Sequence, residues 1–269
     1  MTKAVVITGS TRGIGFGMAD AFLRHGCRVV VSGRTQEAVD RAVDLLAAHH
    51  VPDRVFGQAC NVTSYEQVQA LWDAAAARWG RIDIWVNNAG LGNQYRPFWR
   101  QSPPHMEAVV RTNMLGMMYG SHVAFLGMER QGSGQIYNME GFGSRGRMRP
   151  GLTIYGSTKA GVTYFSRSMI EEMKGSVVQM GTLSPGMVVT DMLTKAYDDP
   201  AELERYKRIF NILADPVEDV APWLVDRMLA NTRHGAHIRR LTTPRLIGKF
   251  LSAPFRRRDL FAGEAGSEA

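Results

Sequence analysis

The sequence predicts an α/β fold, a doubly wound parallel sheet built as a single domain. Short apolar, β-branched runs alternate with helix-length stretches, at the spacing that parallel βαβ units require. No repeat, low-complexity block or linker divides the 269 residues, and a hydrophobic fraction of 45% suits one globular core. Right-handed crossovers then place helices on both faces of the sheet.

The elements follow in order. Ala4–Thr8 reads as the first strand, followed by a glycine-rich turn and a helix over Ile14–Arg24. Arg28–Ser32 and Arg54–Ala59 read as strands, each followed by a helix, Glu37–Ala48 and Tyr65–Arg78. Ile82–Asn87 is a fourth strand, and Met106–Glu129 reads as one long helix. Gly134–Met139, the helix Tyr155–Met173 and the strand Val177–Thr182 continue the pattern until Pro185 and Gly186 break it. Helices over Ala201–Ile212 and Pro216–Leu229 precede a last strand at Ala236–Arg240. The expected division is a dinucleotide-binding domain over 1–240 and a basic extension over 241–269.

Cys27 and Cys60 are the only cysteines, too few for a disulfide framework or a metal cluster, so no metal is expected and a core role suits both. No signal-peptide pattern opens the chain and no apolar run reaches membrane-spanning length, so the expected location is the cytoplasm. The net charge is +7, and Arg233–Arg258 holds eight Arg or Lys residues and no acid. That segment marks either an anionic partner or a solvated tail. Leu246, Ile247, Phe250, Leu251 and Phe255 interleave with Arg245, Lys249 and Arg256–Arg258, which suits weak contact with a membrane surface. Pro244 and Pro254 limit any helix there to about two turns. No nucleic-acid motif accompanies the charge, so nucleic acid is not an expected partner.

The run Thr8-Gly9-Ser10-Thr11-Arg12-Gly13-Ile14-Gly15 lies between the first strand and the first helix. Its glycines allow a tight turn and close approach to a pyrophosphate, and the helix N-terminus offers free N–H groups. An NAD site commonly carries an acid at the end of the second strand. Here that place holds Ser32-Gly33-Arg34. Arg12 and Arg34 offer planar forks to a 2′-phosphate, so NADPH/NADP+ is the expected cofactor. Tyr155 and Lys159 stand four apart on a predicted helix and share one face. The ammonium is expected to lower the phenol's pKa and make the pair a tunable acid/base.

The glycine spacing, the Asn87-Asn88-Ala89-Gly90 run and Tyr155-Gly156-Ser157-Thr158-Lys159, in that order, resemble the short-chain dehydrogenase/reductase family over roughly residues 3–190. The resemblance implies a Rossmann-like domain and a homo-dimer or tetramer. It implies that Asn88, Ala89 and Gly90 support the adenine ribose, and that Asn61-Val62 lies by the adenine, with Asn where the family usually has Asp. It further implies that Tyr155 protonates a carbonyl oxygen while Lys159 holds the nicotinamide ribose, that Asn113 anchors a relay water, and that Pro185-Gly186-Met187-Val188-Val189-Thr190 flanks the nicotinamide, with Thr190 near its carboxamide.

One position departs from the family. A strand there usually ends N-x-S-S, whereas this chain reads Asn138-Met139-Glu140-Gly141-Phe142-Gly143-Ser144, with Gly141 in place of the substrate-binding serine. Ser144 is the favoured source of the missing hydroxyl; Glu140 or a backbone N–H are the alternatives. The same run resembles the NMDGxGS of chlorophyll b reductases, and Ser184–Thr190, Phe210–Pro216 and Leu241–Arg245 resemble further segments of those enzymes. This resemblance implies reduction of the 7-formyl group of chlorophyll b or chlorophyllide b to hydroxymethyl, with an apolar tetrapyrrole as the small-molecule substrate. Met187, Met192, Tyr95, Phe98 and Trp99 are candidates to line its pocket or simply to pack. Another carbonyl substrate (ketoacyl, steroid or sugar) and a catalytically silent NADP-binding protein stand as alternatives.

Overall fold

The computed structural model describes residues 2–194, 200–253 and 259–261. Strands β1 (Ala4–Ile7), β2 (Arg28–Gly33), β3 (Val55–Ala59), β4 (Ile84–Asn87), β5 (Gly134–Met139), β6 (Val178–Ser184) and β7 (Ala236–Arg239) form one sheet in the order β3-β2-β1-β4-β5-β6-β7. Every neighbouring pair is parallel. The chain winds outward from β1 in one direction and from β4 in the other, so the crevice for a ligand opens between them at the carboxyl ends of the strands.

Alternation along β1 and β2 explains the near-continuous apolar runs. Val5, Ile7, Val29 and Val31 face α1 (Gly13–Arg24) and α9 (Val217–Leu229), where Met18, Phe22, Val220, Leu224 and Met228 complete one core layer. Val6 and Val30 point to the other face, against Leu71 and Trp72 of α3 (Tyr65–Trp79) and Val123, Ala124 and Met128 of α5 (Gly116–Gln131). A sheet buried on both faces has no polar side to show in its sequence. Cys27 and Cys60 are buried in these layers, and burial pushes the Cys60 thiol up to about 12. Helix α2 (Gln36–Ala47) starts on a Thr35 side-chain cap, as its amphipathic run requires.

Three elements differ from the expectation. The long helix expected over Met106–Glu129 is α4 (Pro103–Val110), a π-helical turn (Arg111–Leu115) and then α5. A short helix, α7 (Asp191–Thr194), follows the Pro185–Gly186 break, and α8 spans Pro200–Leu213. Near the C-terminus, α10 (Thr243–Ser252) runs for 10 residues, longer than the two turns expected. Pro244 lies in its first turn, where the missing N–H would have found no partner in any case.

The basic segment is not uniformly solvated. Arg240 Nε and Lys249 Nζ lie 3.2 and 2.6 Å from the carboxylate of Asp215, and Arg245 lies 3.7 Å from it. Burial pushes the Asp215 carboxyl up, but Lys249 and Arg240 more than offset that and hold it below the usual range. This cluster clamps α10 against the end of α8. Ile247, Phe250 and Leu251 remain 51–71% exposed on α10. Pro254, Phe255, Arg256–Arg258 and 262–269 lie outside the described residues. Among the described residues, no helix is long and apolar enough to cross a membrane.

Candidate active site

The glycine-rich turn joins β1 to α1 and is braced from both sides. Ser10 N donates to Ser32 O at 2.8 Å and Ser10 Oγ accepts from Ser32 N at 2.9 Å, tying the turn to β2. On the other side, Asn88 Nδ2 donates to Thr8 O and Gly9 O at 3.0 and 2.9 Å, and Thr8 Oγ1 accepts from the N–H groups of Asn88 and Ala89. A Cβ on Gly9, whose φ is +63°, would fall 2.8 Å from Ala89 Cα, and one on Gly15 would fall 2.4 Å from Gly9 O. No side chain caps α1, so its first N–H groups face the crevice without a side-chain partner. A crowded glycine cradle ahead of an uncapped helix fits the pyrophosphate of a dinucleotide.

The remaining predicted cofactor residues only partly gather around this turn. Gly33 abuts Thr11, where an added Cβ would sit 2.6 Å from Thr11 Cγ2, and Arg34, the next residue, is exposed. Arg12 turns elsewhere, its Nη1 lying 3.2 Å from Asp191 Oδ2. Ile14 packs into the core. Asn61 Oδ1 accepts from Thr63 N and Thr63 Oγ1 at 3.1 and 3.0 Å, closing a turn, while Val62 is buried against Gly116. Pro185-Gly186 leads into a backbone pairing of Met187, Val188 and Val189 with Asp215. Thr190 then lies 3.6 Å from where a Cβ on Gly13 would be, so this segment reaches the glycine-rich turn.

Tyr155, Lys159 and Asn113 meet beyond the ends of β4 and β5. Helix α6 (Thr153–Glu172) carries the first two. Asn93, 3% exposed, accepts from Tyr155 N at 3.0 Å and donates to Gly151 O, fixing where α6 begins. Lys159 Nζ donates to Met139 O at 3.0 Å and lies 5.7 Å from the centroid of the Tyr155 ring. The π-helical turn aims Asn113 at two elements at once. Its Oδ1 accepts from Leu91 N at 2.7 Å, and its Nδ2 donates to Leu91 O and Thr158 Oγ1 at 2.9 and 3.0 Å. Gly90 lies between them, with an added Cβ 3.4 Å from Asn113 Oδ1 and 3.8 Å from Lys159 Nζ.

Two findings depart from the expectation at this site. Burial pushes the Tyr155 phenol up to about 12 and draws Lys159 down to about 8. Desolvation penalises both charged forms and outweighs the attraction expected to acidify the phenol. At Gly141, the tyrosine comes so close that an added Cβ would lie 2.4 Å from its hydroxyl oxygen. Ser144 Oγ accepts from Gly141 N and donates to Lys159 O, both at 3.1 Å, so it is tied to backbone groups.

Around this centre, Met192 lies over Gly92, whose Cβ would be 3.1 Å from it, and Phe98 and Trp99 are 50% and 79% exposed. Tyr95 packs edge-on against Tyr206, with the Arg149 guanidinium 4.7 and 4.2 Å from their ring centroids. Met187 packs toward Phe210 instead. Sequence reasoning missed Asn93, for which no local pattern exists, and the buried chain of Asn87, Ser121, Asn138 and Ser166 that ties β4 and β5 to α5 and α6.

A family model described as short chain dehydrogenase matches residues 3–201. The chain is 36% identical to the probable chlorophyll(ide) b reductase NYC1 of Arabidopsis thaliana, over 98% of this chain and 57% of that one. It is 38% identical to the chlorophyll(ide) b reductase NOL of Oryza sativa subsp. japonica, over 84% of this chain and 66% of that one. The chain thus spans little more than half the length of NYC1. Among solved structures, a 7α-hydroxysteroid dehydrogenase complexed with NADH and 7-oxo glycochenodeoxycholic acid superposes with a TM-score of 0.76 at 26% identity, over 88% of this chain and 92% of that one. The plant reductases are chloroplastic by name, which overturns the cytoplasmic location expected from the sequence.

Proposed function

The chain belongs to the short-chain dehydrogenase family, and from that premise we propose that it is an NADPH-dependent reductase of the 7-formyl group of chlorophyll b or chlorophyllide b. The observation that carries the chemistry is the Tyr155 hydroxyl against Gly141, with Lys159 and Asn113 behind it. The pigment is supported by a likeness to the plant reductases that runs over 98% of the chain, well past residue 201 where the family model ends.

NADPH, when bound, would supply the hydride for carbonyl reduction. Gly9–Gly15 would hold the pyrophosphate, Arg34 the 2′-phosphate, Asn61-Val62 the adenine edge, and Asn88–Gly90 with Pro185, Gly186, Val188 and Thr190 the remainder. Tyr155 gives its proton to the carbonyl oxygen. A phenol raised to about 12 is fully protonated at neutral pH, which is the form an acid needs. Lys159 stabilises the phenolate left behind, and Asn113 fixes the Leu91 backbone and Thr158 beside it. Ser144 positions the site from beneath by pinning Gly141 N to the Lys159 turn. The exposed apolar face of α10 supplies weak contact with a membrane surface, where such a pigment partitions. The working form is a homo-dimer or tetramer.

The deciding experiment incubates the protein with NADPH and chlorophyllide b and follows the absorption change on loss of the formyl group. Turnover that disappears in Tyr155→Phe is the expected result. NADPH oxidation with simpler carbonyls alone rejects the pigment, and tight NADPH binding without turnover of any carbonyl rejects the enzyme.

A further inference from the structure

Glu140 directly follows β5 and carries a carboxylate into the interior, where it is 3% exposed. Such a charge is costly unless it is paired. Its Oε1 accepts from Thr163 Oγ1 at 3.4 Å. Its Oε2 is buried without an aligned hydrogen bond among the described residues, although His237 Nε2 on β7 lies 3.2 Å away. His237 keeps 34% of its side chain exposed, so it joins this buried carboxylate to solvent.

On the inner side the carboxylate shares its supports with Lys159. The Lys159 ammonium donates to the carbonyl of Met139, the residue before Glu140. The single proton of the Thr163 hydroxyl is shared between Glu140 Oε1 and Lys159 O, at 3.4 and 3.1 Å. The strand end and the helix therefore fix the two charges together. The family pattern carries a serine at this position, and the proton-transfer scheme above leaves Glu140 without a task.

We infer that Glu140 is a positioning residue for the proton-transfer pair: its buried carboxylate keeps Lys159 in place as an ammonium, and His237 is the solvent-facing group that satisfies the carboxylate. The inference rests on the role proposed above for Tyr155 and Lys159. Burial draws Lys159 toward its neutral form, and Glu140 is the group that opposes it. Arg239 on β7 also feels the carboxylate: burial, Arg145 and Arg147 destabilise its charge and Glu140 favours it. A neutral amine at position 159 would leave the departing phenolate without a counter-charge.

The test is the pH profile of kcat with NADPH and chlorophyllide b. Glu140→Gln keeps the shape of the side chain and removes its charge. Its alkaline limb should move about one pH unit lower, an approximately tenfold loss at a pH on that limb. Glu140→Asp, which retains the charge, should recover most of the shift, and His237→Gln should leave the alkaline limb in place. An unmoved limb in Glu140→Gln, with turnover abolished in Tyr155→Phe, overturns this inference alone. Full turnover in Tyr155→Phe removes the underlying reading and this inference with it. Should Glu140→Gln fail to fold, or the pigment not react, the Cε resonance of Lys159 in the wild-type protein decides. An ammonium at pH 7 is expected, and a neutral amine there overturns the inference.

Discussion

Replacing Gly141 by serine brings the strand end closer to the family's usual pattern, yet the geometry requires it to damage the site. A Cβ at this position would lie 2.4 Å from the Tyr155 hydroxyl oxygen and 3.1 Å from both Tyr155 Cζ and Lys159 Cγ. Contacts between non-bonded heavy atoms settle near 3.5 Å, so the phenol must retreat by about 1 Å before the serine hydroxyl is even placed. Overpacking of this kind costs about 1–3 kcal/mol. Displacing a reacting group by about 1 Å costs about 100-fold in rate. Gly141→Ser and Gly141→Ala should therefore both lower kcat about 100-fold, because the shared Cβ causes the loss. The assay is steady-state NADPH oxidation with pigment aldehyde, alongside NADPH affinity, which should stay within about twofold because the cofactor cradle lies on β1 and α1. If Gly141→Ser turns over as fast as wild type or faster, the tyrosine is not confined as described and the missing hydroxyl was the real deficit.

Three further outcomes follow from the same structure. Arg34→Glu should cut the preference for NADPH over NADH by about 10- to 100-fold, from the loss of a charge-assisted phosphate contact. Arg12→Ala should change that ratio less, since Arg12 is directed to Asp191; kcat/KM for both cofactors reads each effect. Lys159 titrates near 8 when folded against 10.5 ordinarily, so between those values the unfolded chain binds more protons and stability rises with pH. From pH 7.5 to 10 the Lys159 contribution is about 2 kcal/mol. Cys60 and Tyr155, both raised, act in the opposite sense over the same range, so the gain is read in urea melts of cofactor-free protein as the difference in pH dependence between wild type and Lys159→Met. Asp215→Ala removes the anion that Arg240 and Lys249 share, leaving two largely buried cations without that carboxylate. The expected cost is about 3 kcal/mol, with increased proteolysis at α10; an unchanged melting temperature would contradict the clamp.

Much of the architecture was legible because both faces of the sheet are covered. That leaves β1, β2 and β4 as apolar runs and makes the alternation with helices unmistakable. The glycine-rich turn was legible for a local reason, since its constraints lie within Thr8–Gly15 and in the helix that follows. The wide turn at Arg111–Leu115 was not. No glycine or proline marks it, and the extra residue is stabilised by contacts with Leu91 and Thr158 that lie far away in sequence. Arg240, Lys249 and Arg245 read as tail charge because Asp215, which gathers them, stands 25 or more residues earlier.

The acidity of the site was misread for a related reason. Spacing places Lys159 one turn from Tyr155, and on an exposed helix that neighbour would acidify the phenol. Here Asn93 anchors the start of α6, Met139 O takes the ammonium and Gly141 admits the hydroxyl, so both groups are sealed together. Desolvation grows with the number of elements closing around a group, and no count of residues between two side chains contains that number. The glycine that looked like a defect in the motif is what allows β5 to approach the phenol so closely. A strand end carrying a side chain there would hold the tyrosine farther out, better hydrated and nearer its ordinary acidity. The choice of Gly141 and the burial that raises the Tyr155 phenol are thus one property of the site.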